Sequence, residues 1–106
     1  MKVMVTGGAG FVGKELVRTL KDGNEVLVAD LLRYGTPDWL SGGLDGFAFE
    51  RVDIRDAAAT AAVVERFAPD VVVHLAAIHY IPECEQDPVL AVRTNVAGTV
   101  SLLAAC

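Results

Sequence analysis

Apolar positions along the chain fall into short runs and longer periodic stretches, separated by polar or glycine-rich breaks. Lys2–Thr6 is a short apolar run that stops at Gly7. In Phe11–Lys21 the residues Phe11, Val12, Leu16, Val17 and Leu20 recur at helical spacing, and Gly23-Asn24 ends the pattern. Glu25–Ala29 is a second short apolar run, closed by Asp30. Leu31–Gly46 holds four glycines and a proline and reads as mostly loop. Phe47–Val52 alternates, which predicts a third strand. Asp56 is placed to cap a helix over Ala57–Phe67, because its carboxylate can accept free backbone amides. Val71–Leu75 is a fourth buried run. Pro82 and Pro88 break the chain beyond it, and Pro88 suits the first turn of a long apolar helix reaching Cys106.

The predicted order is therefore strand, helix, strand, strand, helix, strand, helix. Continuous Val-rich runs joined by helices predict an α/β fold whose parallel sheet is covered on both faces. Right-handed crossovers place the strands in the order 3-2-1-4. This resembles a Rossmann-type sheet truncated after its fourth strand, a single partial domain over residues 1–106. The edge beyond Val71–Leu75 and part of the last helix are expected to lack their usual cover.

Composition narrows the function classes. The 106 residues are 53% hydrophobic and 22% charged, which excludes a disordered tail. With Lys+Arg 9 against Asp+Glu 14 the net charge is -5, and the basic residues are scattered singly. Nucleic-acid binding needs clustered cations, so no nucleic-acid partner is expected. The longest uninterrupted apolar stretches are short, so no membrane span is expected, and Met1–Val5 is too short for a signal-peptide core. Two cysteines make no disulfide framework, and the chain is read as cytoplasmic. His74, His79, Cys84, Glu83 and Glu85 lack paired metal-ligand spacing, and no metal site is assigned. His74 reads as a packed histidine at a strand end.

The strongest chemical signal is Thr6-Gly7-Gly8-Ala9-Gly10-Phe11-Val12-Gly13, lying between a predicted strand and a predicted helix. Gly7 permits a tight turn, Gly10 lets main-chain amides approach a pyrophosphate, and Gly13 lets the helix pack close to the sheet. The helix N-terminus adds unpaired N–H groups and partial positive charge. No Gly-Lys-Ser/Thr ends the segment, which excludes a Walker loop. Asp30, at the end of the second strand, is placed to accept hydrogen bonds from adenosine ribose hydroxyls. It would repel a 2′-phosphate, favouring NAD over NADP, although Arg33 lies close enough to blur that preference.

The chain resembles the extended short-chain dehydrogenase/reductase family, in particular its NAD-dependent nucleotide-sugar epimerases and dehydratases. Four segments carry the resemblance: Thr6–Gly13, Asp53-Ile54-Arg55-Asp56, His74-Leu75-Ala76-Ala77 and Asn95-Val96-Ala97-Gly98-Thr99. It implies backbone contacts from Phe11 and Val12 to the pyrophosphate, and contacts from Asp53 and Ile54 to the adenine. Leu75, Ala76 and Ala77 would lie under the nicotinamide ribose. Asn95 would sit near the reaction centre as a structural or water-holding group. On the residues alone Asp53 reads equally as a loop or capping aspartate, and Ala76 and Ala77 equally as core packing.

The family's Tyr-x-x-x-Lys pair has no counterpart. Tyr34 and Tyr80 have no lysine four residues on, and Lys2, Lys14 and Lys21 all lie near the first strand and helix. No catalytic residue is assigned. The resemblance implies the dinucleotide-binding portion of an enzyme acting on a nucleotide sugar, a portion expected to catalyse nothing alone. The alternative is a non-catalytic NAD-binding or oligomerising module. The last helix is apolar on nearly all faces, which suits either a homodimer interface or packing against further parts of its own fold.

Overall fold

The computed structural model describes residues 1–42 and 44–106. Its centre is a parallel sheet in the order β3-β2-β1-β4, built from Lys2–Thr6 (β1), Glu25–Asp30 (β2), Ala48–Arg51 (β3) and Val71–His74 (β4). The order matches the predicted 3-2-1-4. Val3 pairs with Val26 on one side and Val71 on the other, and Thr6 pairs with Ala29 and His74.

The sheet is covered on both faces. Met4, Leu27, Ala29, Val52, Val63, Val64 and Leu102 form the core on one face. Val3, Val5, Val17, Val26, Val28 and Trp39 form it on the other. Neighbouring residues of β1 and β2 thus feed opposite cores. That is why these strands read as continuous apolar runs rather than as alternating ones.

Helix α1 (Phe11–Leu20) and helix α2 (Ala57–Phe67) lie where the periodicity places them. Asp56 caps α2, its Oδ1 accepting from the Ala59 N–H at 3.0 Å. Two elements depart from the sequence reading. The Leu31–Gly46 loop contains a 3₁₀ turn, Asp38–Ser41, that buries Trp39 against Phe47 with ring centroids 5.5 Å apart. One large aromatic anchors the segment, and four residues are too few to show a period. A short helix α3 (Ile81–Gln86) lies where prolines predicted only a break. Pro82 sits in its first turn, where the missing N–H costs nothing.

The predicted terminal helix forms as one continuous run, Pro88–Ala105. It comprises α4 (Pro88–Val92), a π-helical turn (Arg93–Gly98) and α5 (Thr99–Ala105). The expectation of no membrane span rests on uninterrupted apolar runs, and this helix is judged on length and composition instead. By length and composition alone the run, 18 residues with mean hydropathy 1.3, is apolar enough to cross a membrane. The reading from uninterrupted runs missed it because Arg93, Thr94, Asn95, Thr99 and Ser101 punctuate it. Its contacts are those of a helix docked on a sheet: Leu102 is buried in the core beside α2, and Gly98 is buried against Ile54.

Candidate functional site

The glycine loop turns sharply from β1 into α1. Gly7 has φ +67, and its N–H donates to the Ala29 carbonyl at 2.9 Å. A Cβ there would lie 2.5 Å from the Ala76 nitrogen. Gly13 is buried, and a Cβ on it would meet Gly8 Cα at 2.6 Å. These two glycines let three backbone segments meet in a space that admits no side chain. Gly10 differs. Among the described residues its only neighbour within reach of a Cβ is the Gly7 carbonyl oxygen, at 3.3 Å. Gly10 is also the N-cap of α1, with no side chain capping the helix and no acidic residue in its first turn. The first-turn amides of Phe11, Val12 and Gly13 therefore have no intrahelical partner.

These residues line a cavity of about 760 Å³ that crosses the carboxyl ends of the strands. Gly7, Gly10, Phe11, Val12, Gly13, Asp30, Asp53, Ile54, Leu75, Ala76 and Ala77 all face it. The structure thus gathers eleven of the twelve residues singled out from the sequence. Asn95 is the twelfth, and it stands one layer behind. Its Oδ1 accepts from the Ile78 N–H at 2.8 Å, and its Nδ2 donates to the Ile78 carbonyl at 2.7 Å. Ile78 itself lines the cavity, so Asn95 fixes the wall after β4.

Asp30 is held in place. Its Oδ2 accepts from the Ala9 N–H at 3.0 Å and its Oδ1 from the Leu32 N–H at 2.8 Å. The carboxylate joins the glycine loop to the turn after β2, and Leu32 takes a left-handed φ of 59 in that turn. Asp53 is paired with Arg55, whose Nη2 lies 2.6 Å from Asp53 Oδ2 and whose Nε lies 2.9 Å from Oδ1. The Arg55 hydrogen bond holds the Asp53 carboxyl below its ordinary value. Any adenine amine would share this carboxylate with Arg55.

Behind the cavity a polar chain crosses from sheet to helix. His74 Nδ1 lies 2.6 Å from Thr6 Oγ1, and its Nε2 lies 2.9 Å from Thr99 Oγ1. The Thr99 hydroxyl donates to the Asn95 carbonyl at 2.8 Å. Its one proton is committed there, so Nε2 carries the hydrogen that Thr99 accepts. Nδ1 then accepts from Thr6. Burial lowers the His74 pKa, which agrees with this neutral tautomer.

Sequence reasoning missed Leu31, Leu32, Tyr34, Gly35, Arg55, Ile78 and Thr94, which also line the cavity. All but Thr94 follow a strand in the sequence. The signal available was position: residues just past the carboxyl end of a parallel strand border the crevice. A second cavity, of about 590 Å³, lies along the outer side of β4 between α2 and α5. Val64, Val72, Leu102 and Cys106 line it, beside the unpaired strand edge.

Comparison with known proteins agrees with this geometry. Residues 3–106 match the NAD dependent epimerase/dehydratase family. The chain is 38% identical over 110 residues to dTDP-glucose 4,6-dehydratase 1 of Escherichia coli (strain K12), covering 99% of this chain and 30% of that protein. It is 41% identical over 105 residues to UDP-glucose 4-epimerase of Mycolicibacterium smegmatis, covering 96% and 33%. Among solved structures, UDP-glucose 4-epimerase of Thermus thermophilus in complex with NAD superposes with TM-score 0.89 at 39% identity, covering 100% of this chain and 33% of that one. The chain spans about a third of the length of the relatives it matches. With the glycine turn, the strand-end cleft and the match over residues 3–106 in agreement, the chain belongs to the NAD dependent epimerase/dehydratase family.

Proposed function

We propose that the cleft binds NAD, and that the chain is the dinucleotide-binding portion of an enzyme acting on a nucleotide sugar. The observation that carries this reading is the uncapped N-terminus of α1, which opens onto the same cavity as Asp30. Free amides at the positive end of a helix suit a pyrophosphate. Asp30 suits the adenosine ribose, and its charge disfavours a 2′-phosphate, so NAD is the preferred dinucleotide. Gly10 supports the fit, because at the N-cap and on the cavity wall it carries no side chain to crowd those amides.

Phe11, Val12 and Gly13 hold the pyrophosphate through their N–H groups. Asp53 and Ile54 border the adenine, while Leu75, Ala76 and Ala77 border the nicotinamide ribose. The nicotinamide, when bound, supplies a two-electron hydride acceptor. Ile78, fixed by Asn95, gives the cleft an apolar wall on that side. Neither Tyr34 nor Tyr80 has a lysine four residues on, so these 106 residues bind and orient but supply no acid/base pair. The relatives named for dTDP-glucose and UDP-glucose support a nucleotide sugar as the substrate class. The same kinship supports a cytoplasmic setting.

A second reading rests on the last helix. Val89, Val92, Val96, Val100 and Leu103 are between 57% and 70% exposed. Such an apolar face suits self-association into a homodimer. Titration calorimetry with NAD and NADP tests the main reading. Saturable heat with NAD supports it; a folded sample giving no heat with either nucleotide overturns it.

A further inference from the structure

Arg33 lines the cavity three residues beyond Asp30. A free guanidinium there would meet a 2′-phosphate with two parallel hydrogen bonds. It is not free. Glu83, from α3, takes both the Nε (2.8 Å) and the Nη2 of Arg33 on its Oε1. The other carboxylate oxygen of Glu83 accepts from the Tyr34 hydroxyl at 2.6 Å. One edge of the guanidinium, the edge suited to a planar anion, is thus already filled by a carboxylate 50 residues away in the chain. The charges at this end of the cleft are Asp30, Asp53 and Glu83 against Arg33 and Arg55, and Arg55 is spent on Asp53.

We infer that Glu83 is a positioning residue for cofactor choice: it withdraws Arg33 from a 2′-phosphate and so sharpens the preference for NAD that Asp30 begins. This rests on the reading of the cleft as a dinucleotide site. Glu83 touches no cofactor and acts only through Arg33. Its removal leaves a cation in the cleft wall beside the adenosine ribose, with one fewer negative charge nearby. A dianionic 2′-phosphate gains from both changes, whereas a ribose 2′-hydroxyl gains little.

The test is calorimetric titration of the full chain with NAD and with NADP, on the unaltered protein, Glu83→Ala and the double variant Arg33→Ala/Glu83→Ala. In Glu83→Ala the NADP affinity should rise roughly threefold to tenfold, as for an exposed ion pair exchanged for a charged ligand, with NAD affinity within about twofold. The gain should shrink at high salt and vanish in the double variant. Glu83→Gln keeps the size of the side chain and should move selectivity the same way by less, which covers the case in which the alanine variant misfolds. Unchanged NADP affinity in a variant that still binds NAD overturns the role of Glu83, as does a gain that persists without Arg33. Failure of the unaltered protein to bind either nucleotide overturns the dinucleotide reading itself, and the role of Glu83 with it.

Discussion

Thr6 and His74 sit side by side at the ends of β1 and β4, paired in the sheet register, with Oγ1 and Nδ1 2.6 Å apart. The contact ties the strand that feeds the glycine loop to the strand that ends beneath the cleft. On its far side the same imidazole reaches Thr99, so a single neutral histidine joins two strands and a helix.

Protonation of His74 would set a second N–H against Thr6. Burial lowers its pKa from the ordinary 6.5, so the unfolded chain binds the proton more readily than the folded one. Stability therefore rises with pH across this titration, and is lost as pH falls below the unfolded value and through the lowered folded one. Urea midpoints at pH 7.5 and at pH 5.5 should show this loss. In His74→Gln the difference between the two midpoints should be smaller.

The glycines of the loop should separate stability from binding. Gly13→Ala forces a Cβ against Gly8 backbone and should cost about 2–3 kcal/mol, read by urea denaturation. Gly10 lies in extended backbone at φ -74, where a Cβ would lie 3.3 Å from the Gly7 carbonyl oxygen and meet no side chain of the described residues. Gly10→Val should cost no more than about 2 kcal/mol, for the loss of a good N-cap and the contact with the Gly7 carbonyl, and reduce NAD affinity by at least about tenfold. Retained affinity in Gly10→Val would mean that the helix N-terminus is not where the pyrophosphate sits.

Asn95→Ala removes both hydrogen bonds to Ile78 and should cost about 1–3 kcal/mol. Asn95→Asp is the sharper probe. It keeps the acceptor for the Ile78 N–H but sets an anion against the Ile78 carbonyl. Its stability relative to the unaltered protein should recover as pH falls toward 4, where the carboxyl regains a donor. A pH-independent deficit would mean that the carbonyl contact carries no weight.

The apolar face of the last helix can be altered without touching the core. Val96→Lys with Leu103→Lys should change stability by no more than about 0.5 kcal/mol, since both side chains are mostly exposed. Sedimentation velocity should then show a dimer converted to monomer. A dimer that persists unchanged would place the interface elsewhere.

Much of the fold was legible in the sequence, for physical reasons that vary by element. β1 and β2 are buried on both faces, so their apolar runs are unbroken, and the glycine spacing between β1 and α1 states a backbone geometry directly. Trp39 was not legible as an anchor, because its 3₁₀ turn is held by tertiary packing into the sheet core beside Phe47 rather than by any local period. The clasp of Arg33 and Tyr34 by Glu83 was equally hidden, since it joins residues 50 and 49 positions apart. The role of Asn95 lay between the two: its type argued for a task in mid-helix, and only the fold supplied Ile78 as its partner.

The wide turn at Arg93–Gly98 has a consequence. The Asn95 carbonyl is taken by the Thr99 hydroxyl, and the Thr99 N–H bonds instead to the Val96 carbonyl. The helix accommodates the extra chain of the π turn and continues beyond it, with Asn95 turned to Ile78 and Gly98 against Ile54. Length, as well as the identity of Asn95 and Gly98, is then a sensitive variable in this segment. Removing a single residue between Arg93 and Gly98 would leave a smoother and more regular helix. It would also rotate every later side chain by about 100°, swinging Leu102 out of the core and Leu103 toward it. The irregular turn is what keeps the two ends of the helix in phase with two different neighbours.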